Sequence, residues 1–231
     1  MTDISDPNNP TITISTEPSY PTQPYSVLIP PPSDLKPLYT TRLILRPLEI
    51  DSDQHAAGMF RIRSRQDVVD WLWPRTPDTS ITDTKTWMSG KLFPAPDSTG
   101  GLAPRLFFFI ITPKDNENLI LGSVGVNSLD PAPSLGYALH PDYWGRGFAS
   151  EAAGAVVRAW WGLPRINEGV GLGLGLGLRE EEGGEEKLYA ASNCRNVGSV
   201  KVLERVGFEV YEYVHFIDRL AFMAMGRGNL K

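Results

Sequence analysis

The sequence predicts a mixed α/β fold, and three observations carry that reading. Short apolar runs bounded by turn residues recur along the chain, as buried or half-buried strands require. Longer stretches carry apolar residues at helical spacing. Asp, Ser or Asn stands where most of those stretches begin, in the position that caps a helix.

Residues 38–48 alternate apolar and polar side chains around Leu43, Leu45 and the arginines, and read as a first strand. Asp51 or Ser52 caps a helix running to about Arg63, and residues 78–80 cap a second one running to about Lys91. Residues 105–112 form a buried strand, residues 114–118 supply a turn, and residues 119–128 return as the hairpin partner. A further strand covers residues 135–140. Residues 148–161 place Ala152, Ala155, Val156, Ala159 and Trp160 at helical spacing. Residues 187–192 then read as a strand, 196–206 as a helix, and 208–214 with 221–225 as a closing hairpin. The order is β-α-α-β-β-β-α-β-α-β-β.

A chain of 231 residues, 41% of them hydrophobic, buries one good core, so a single domain over residues 38–226 is expected. Residues 1–37 hold nine of the 20 prolines, including Pro30-Pro31-Pro32, and are expected to form an extended or disordered tail. Residues 227–231 are expected to be a short C-terminal tail. Within residues 165–187 an alternating Gly-Leu stretch precedes an acidic block. Glycine disfavours helix there and the carboxylates repel one another, which predicts a flexible surface insertion.

The formal charge of −5 comes largely from these two segments, which carry four acidic against one basic and six acidic against three basic residues. The remainder is near neutral, with no basic stripe interleaved with aromatics, so direct nucleic-acid binding is not expected. Cys194 is the single cysteine, which rules out an intramolecular disulfide and a thiolate zinc site, and suits a reducing compartment. No metal is expected. The longest apolar run, residues 106–111, is too short to span a bilayer, and the first residues lack a signal-peptide pattern. A cytoplasmic monomer or homodimer is the expectation.

The decisive motif is Tyr143-Trp144-Gly145-Arg146-Gly147-Phe148-Ala149-Ser150-Glu151-Ala152, directly after the strand-like Leu135-Gly136-Tyr137-Ala138-Leu139-His140-Pro141. Two glycines one residue apart let successive N–H groups converge, and the helix that follows adds its positive end. The turn is suited to an anion such as a pyrophosphate. A Walker loop would need Lys-Ser/Thr after the last glycine, where Phe148 and Ala149 stand. A dinucleotide fold would need an acidic residue closing a second strand about 20 residues on, where a Gly-Leu repeat stands instead. Nucleotide hydrolysis and a dinucleotide oxidoreductase are therefore disfavoured.

This motif, residues 41–48 (Thr-Arg-Leu-Ile-Leu-Arg-Pro-Leu) and residues 196–208 (Asn-Val-Gly-Ser-Val-Lys-Val-Leu-Glu-Arg-Val-Gly-Phe) together resemble the GNAT superfamily of acyl-CoA N-acyltransferases. Within it they are similar to the branch of ribosomal-protein N-terminal (alanine) acetyltransferases, where Trp is common at the position of Trp144. The resemblance implies a mostly antiparallel central sheet of about six to seven strands, splayed in the middle and flanked by about four helices. It also implies acetyl-CoA as cofactor, CoA as product, and an amine acceptor, either a small molecule or a peptide N-terminus.

Moving an acetyl group from a thioester to an amine needs a held cofactor, a deprotonated amine and a donor for the departing thiolate. The amides of Gly145, Arg146, Gly147, Phe148 and Ala149 are expected to meet the pyrophosphate, with Trp144 a further cofactor-binding residue and the Arg146 side chain either adding charge or facing water; the resemblance assigns the pantetheine arm to the main chain of Tyr137, Ala138 and Leu139. It further assigns Asn196 to that arm and Ser199 to the sulfur, with Tyr137 as the alternate proton donor. Asn196 also suits a helix cap. Trp71 and Trp73 are candidates for the acceptor wall. For the base, the family's frequent carboxylate two residues before Gly136 is replaced by Ser134, which leaves Glu49, Asp70, Asp130 and His140. That gap keeps an alternative open, a catalytically degenerate acyl-CoA-binding or scaffolding module.

Overall fold

A computed structural model describes residues 4–6, 9–20, 25–97, 101–167, 186–215 and 218–230. The chain begins with strands β1 (Ile4–Asp6), β2 (Asn9–Ser15), β3 (Tyr25–Val27), β4 (Leu38–Tyr39) and β5 (Leu43–Pro47). Helices α1 (Asp53–Arg63), α2 (Gln66–Val69) and α3 (Ile81–Ser89) follow, then β6 (Phe93–Pro96), β7 (Leu102–Arg105), β8 (Phe107–Pro113), β9 (Gly122–Ser128) and β10 (Ser134–Leu139). A 3-10 turn at Pro141–Tyr143 leads into α4 (Phe148–Gly162). The chain ends with β11 (Arg165–Asn167), β12 (Lys187–Asn193), α5 (Val197–Val206), β13 (Glu209–His215), β14 (Arg219–Gly226) and a 3-10 turn at Arg227–Asn229.

The two capped helices start where the side chains dictate. Ser52 accepts the His55 N–H ahead of α1, and Ser80 with Asp83 closes a capping box ahead of α3. Each such cap contributes about 1 kcal/mol.

Ten strands form one sheet in the order β1-β2-β13-β14-β12-β10-β9-β8-β5-β4. It is antiparallel except where β10 meets β12 and β13 meets β2. The expected six to seven strands are exceeded because β1 and β2 extend one edge and β4 the other. The described residues form five helices, the additional one being the single turn of α2.

Alternation along β8 separates two cores. Phe107, Phe109 and Ile111 face α4 and α5, together with Trp160 and Leu203. Phe108 and Ile110 face α1 and α3, together with Met59 and Met88. The second face of β12 and β14 lies beyond the reach of α1 and α3, and Tyr189 and Ala224 there are covered by Tyr20. Tyr20 meets the Tyr189 and Phe222 rings edge-on at 5.4 and 6.0 Å.

The expectation of a non-folding segment over residues 1–37 therefore does not hold for its described part. Val27, Ile29 and Leu35 are buried in the main core. Buried Glu212 of β13 accepts from Ser15 Oγ at 2.5 Å, from Ser19 N at 2.8 Å and from Ser19 Oγ at 3.0 Å. Prolines remove donors without removing the apolar residues between them, and an otherwise uncovered sheet face supplies the burial. Residues 227–230 likewise pack rather than trail, with Arg227 donating to the Trp161 carbonyl at 2.8 Å and Leu230 against the main core. Of the 165–187 insertion, β11 pairs with β3 and β12 begins at Lys187, while residues 168–185 lie outside the described residues.

Candidate active site

The site begins where the sheet stops pairing. β10 keeps its antiparallel ladder with β9 along its length, but meets β12 only at Ser134↔Tyr189. Beyond that point the strands part and a cleft of about 870 Å³ opens between them, lined by residues 134–139 on one side and 190–193 on the other. It crosses the sheet, reaching α4 and α5 on one face and Trp71, Trp73, Trp87 and Lys91 on the other.

The direction of the free main-chain groups follows from one bond. His140 N donates to Leu121 O at 2.8 Å, so on a strand of period two Ala138 and Gly136 also turn their groups toward β9. Tyr137 and Leu139 turn theirs into the cleft. The main chain of Ala138, expected at the cofactor arm, is thus taken up by the ladder. The Leu139 carbonyl accepts the Trp144 indole N–H at 2.8 Å, so Trp144 braces the loop to the strand while its half-exposed ring lines the cleft.

At the end of the loop Gly145 and Gly147 have φ of 72° and 78°, conformations that disfavour any side chain. Glu151 N donates to Gly147 O at 3.1 Å, the first bond of α4, which leaves Phe148, Ala149 and Ser150 without intrahelical acceptors. The N–H groups of Gly145, Arg146 and Gly147 also have no acceptor among the described residues. The Ser150 hydroxyl is buried without a partner beside them. A Cβ on Gly145 would meet nothing within 4 Å, so this is an open cradle of donors at a helix N-terminus. Lys201 and Arg205 of α5 line the same cleft. Arg146 does not; its guanidinium lies 5.6 Å over the Tyr143 ring.

The cradle is held from behind by the start of β5. Glu151 accepts from Thr40 Oγ1 at 2.6 Å, Arg42 N at 2.8 Å and Arg42 Nε at 2.7 Å. Burial opposes its ionisation, but these bonds keep the Glu151 carboxyl below its ordinary range. Arg42 also donates to the Arg146 carbonyl at 3.0 Å and stacks 4.4 Å from the Phe148 ring.

Past the cradle the cleft reaches Ser199 in the first turn of α5. Asn196 caps that helix, accepting Ser199 N at 3.0 Å, so its side-chain oxygen serves the cap. Ser199 Oγ lies 2.8 Å from Tyr137 Oη, which also reaches the Ser199 carbonyl at 3.1 Å. The two expected proton donors are one hydrogen-bonded pair. Burial pushes the Tyr137 phenol up to about 12, so it stays protonated at neutral pH.

On the α1/α3 face, Trp71 and Trp73 are 38% and 69% exposed and stand at the rim, rather than buried against the sheet. None of Glu49, Asp70, Asp130 and His140 is among the described lining residues. His140 instead caps the 3-10 turn, its Nδ1 accepting Asp142 N at 3.4 Å. Burial pushes the Cys194 thiol up, which argues against a thiolate nucleophile.

Three features were not anticipated from the sequence. Lys91 donates to Asn127 Oδ1 at 2.7 Å between the Trp87 and Phe108 rings, each 4.9 Å away. Arg75 pairs with Asp218, which also accepts from Asn193 Nδ2 at 2.9 Å. The Ser123 hydroxyl, fully buried, has no partner. All line the cleft, and none carries a local sequence signal, because each is placed by elements distant in the chain.

An anion cradle at a helix N-terminus thus opens into a cleft through a splayed sheet, an arrangement compatible with the CoA-dependent acyltransferase class. Residues 42–209 match the family described as "Acetyltransferase (GNAT) domain", and the chain belongs to that family, whose members transfer acetyl groups from acetyl-CoA. No curated protein sequence matches it. The fold is similar to that of a probable GNAT-family acetyltransferase from Chromobacterium violaceum, with TM-score 0.60 and 18% identity, covering 92% of this chain and 96% of that one. It is also similar to a GNAT-family acetyltransferase from Bacillus anthracis, with TM-score 0.57 and 17% identity over 83% and 98% of the two chains. A third solved structure, the ribosomal L7/L12 alpha-N-protein acetyltransferase RimL in complex with coenzyme A, gives TM-score 0.57 and 15% identity over 83% and 98%.

Among the described residues no helix is long and apolar enough to cross a membrane.

Proposed function

We propose that this chain is an acetyl-CoA-dependent N-acetyltransferase that acts on a primary amine by direct attack on the thioester. The observation that carries the reading is the row of unbonded N–H groups over residues 145–150, opening into a cleft that ends at the Tyr137–Ser199 pair. When bound, acetyl-CoA supplies an activated acyl group, so no covalent enzyme intermediate is needed.

In this reading the main-chain donors of Gly145, Gly147, Phe148 and Ala149, with the Ser150 hydroxyl, hold the pyrophosphate. Lys201 and Arg205 add positive charge along α5. The outward main-chain groups of Tyr137 and Leu139 hold the pantetheine arm as a neighbouring strand would, and a donor there polarises the thioester carbonyl. The Ser199 hydroxyl, oriented by Tyr137, donates to the leaving sulfur. A phenol held near 12 does not surrender its proton readily, so the pair stabilises the thiolate mainly as a hydrogen-bond donor. Trp144 and Asn196 serve as positioning residues, for the loop and for α5. The amine arrives from the α1/α3 side between Trp71 and Trp73, and loses its proton through water, since none of Glu49, Asp70, Asp130 and His140 is among the described lining residues and the Asp218 carboxylate is paired with Arg75. A cytoplasmic location belongs to the same proposal, supported by the single, half-buried Cys194.

The three sequence motifs similar to the ribosomal-protein branch make a protein N-terminus one acceptor to test beside small amines. The test is thiol release from acetyl-CoA by the full chain across amino acids, polyamines and peptides. Release that depends on an amine supports the reading. Tight acetyl-CoA binding with no turnover on any amine favours the degenerate binding module, whose support is Ser134 in place of a carboxylate. The cleft, open through to Trp71 and Trp73, speaks for the enzyme.

A further inference from the structure

The α1/α3 side of the cleft carries more positive charge than its carboxylates balance. Of the cations lining it there, Arg63 is paired with Asp78, and Arg75 with Asp218. Lys91 has no carboxylate within 4 Å among the described residues, and Asp218 is the one carboxylate among the described lining residues. An ammonium brings three donors, and Asn127 Oδ1 takes one. The groups packed around Lys91 are the Trp87 ring of α3, the Phe108 ring of β8 and Asn127 of β9, with the Arg63 guanidinium of α1 4.4 Å over that same Trp87 ring. None of them is negative. Burial and Arg63 together pull the Lys91 ammonium down to about 8, as expected of a cation with no anion beside it.

A second group stands on the same side. Ser123 lies on β9 four residues before Asn127, so both side chains face α1 and α3. Its hydroxyl is fully buried, lines the cleft and has no hydrogen-bond partner. An isolated hydroxyl in that state is unfavourable until water or a ligand satisfies it. The position is next to the reacting line. A Cβ on Gly136 would lie 1.9 Å from Asn127 Nδ2, so the amide that holds Lys91 rests directly on β10, one residue before Tyr137.

We infer that the acceptor is an amine that also carries a carboxylate, and that Lys91 binds this carboxylate with the Ser123 hydroxyl at the edge of its site. The inference rests on the acetyltransferase reading for the amine, but not for the carboxylate. It disfavours polycationic acceptors, which would meet Lys91 and Arg63 with like charge. Two sources present the chemistry, a free amino acid and a peptide whose first residue is Asp or Glu.

The full chain is assayed with acetyl-CoA against amino acids, their carboxamides and their decarboxylated amines, and against peptides beginning Asp or Glu versus Asn or Gln. The carboxylate-bearing member of a set is expected to exceed its neutral partner in kcat/KM by about tenfold or more, as a charge-assisted hydrogen bond provides. The set that shows the preference identifies the source. Lys91→Met should bring that ratio close to one through KM, and Lys91→Arg should restore part of it. In parallel, N-acetyl amino acids and their carboxamides are titrated calorimetrically into the CoA-loaded protein. This readout needs no turnover. Lys91-dependent preference for the carboxylate there supports the inference even if no amine is acetylated, in which case only the catalytic reading fails. Equal binding of acid and amide overturns it. So does a Lys91→Met variant that lowers kcat equally on charged and neutral acceptors, which would make Lys91 a proton acceptor instead.

Discussion

Replacing Lys91 by methionine keeps a flexible apolar stem between Trp87 and Phe108 and removes the ammonium. In the folded chain burial, reinforced by Arg63, lowers this group from the ordinary 10.5 to about 8. At about 1.4 kcal/mol per pH unit, that drop corresponds to roughly 3 kcal/mol by which folding disfavours the charged form. The unfolded chain binds the extra proton between pH 8 and 10.5, so wild-type stability rises with pH across that window. The penalty is fully present below the folded value and absent above the unfolded one. Lys91→Met should therefore be more stable than wild type at pH 7, by up to about 3 kcal/mol, and the difference should shrink to about 1 kcal/mol near pH 10 and vanish above the unfolded value of 10.5. Urea unfolding of both proteins, followed by tryptophan fluorescence at several pH values, measures this. Other titrating groups cancel in the difference between the two curves. A variant less stable than wild type at pH 7, or a gap that does not change with pH, would refute the reasoning and imply that Lys91 already has a stabilising partner.

Gly147→Trp should abolish acetyl-CoA binding, since a side chain at φ 78° strains the turn by about 1–2 kcal/mol and the indole fills the cradle; unchanged affinity by calorimetry would remove the loop from the site. Tyr137→Phe and Ser199→Ala should each lower kcat by about 10- to 100-fold with little change in acetyl-CoA affinity, and less than additively when combined. Because the phenol titrates near 12, an alkaline limb of kcat below about pH 11 must survive Tyr137→Phe unshifted. Hydrogen exchange should slow at the Tyr137 amide when CoA is added and stay unchanged at Ala138, whose N–H is already in the β9 ladder; equal slowing at both would contradict the assigned strand direction. Glu212→Ala should destabilise the fold by about 1–3 kcal/mol by releasing Ser15 and Ser19 from β13, which urea titration checks.

Local chemistry made much of this fold legible. Ser52 and Ser80 mark helix starts because a capping hydroxyl acts on amides two or three residues away. Gly145 and Gly147 announce the cradle because positive φ is a property of single residues. The N-terminal strands escaped because prolines dominate the composition of residues 1–37, whereas β2 exists through its pairing with β13, some 200 residues later. The lock between Glu151 and Arg42 spans 109 positions. Likewise Asn196 reads equally as cap and as ligand from its spacing, and only the 3.0 Å bond to Ser199 N shows where its oxygen goes.

Main-chain and side-chain groups left without partners inside a protein are unfavourable; the indole N–H groups of Trp160 and Trp161 are such groups in the core, and several others lie along the cleft. The outward groups of β10 lose β12 as a partner after Ser134, the loop and first turn of α4 leave a row of amides unbonded, and Ser150 and Ser123 add orphan hydroxyls on opposite faces of the sheet. Lys91 adds an uncompensated charge at the far end. Two glycines at positive φ shape the loop, and a parallel strand pair that meets only at Ser134↔Tyr189 leaves the gap between β10 and β12. In the proposed reading these groups follow one another along the cleft: an anion would sit at α4, an extended polar arm beside β10, the reacting centre at Ser199, and the carboxylate of the acceptor near Lys91 beyond the sheet. That reading calls for two substrates, a long acyl carrier on the α4/α5 side and an amine that meets it through the splay from the α1/α3 side, the two sides that the cleft connects.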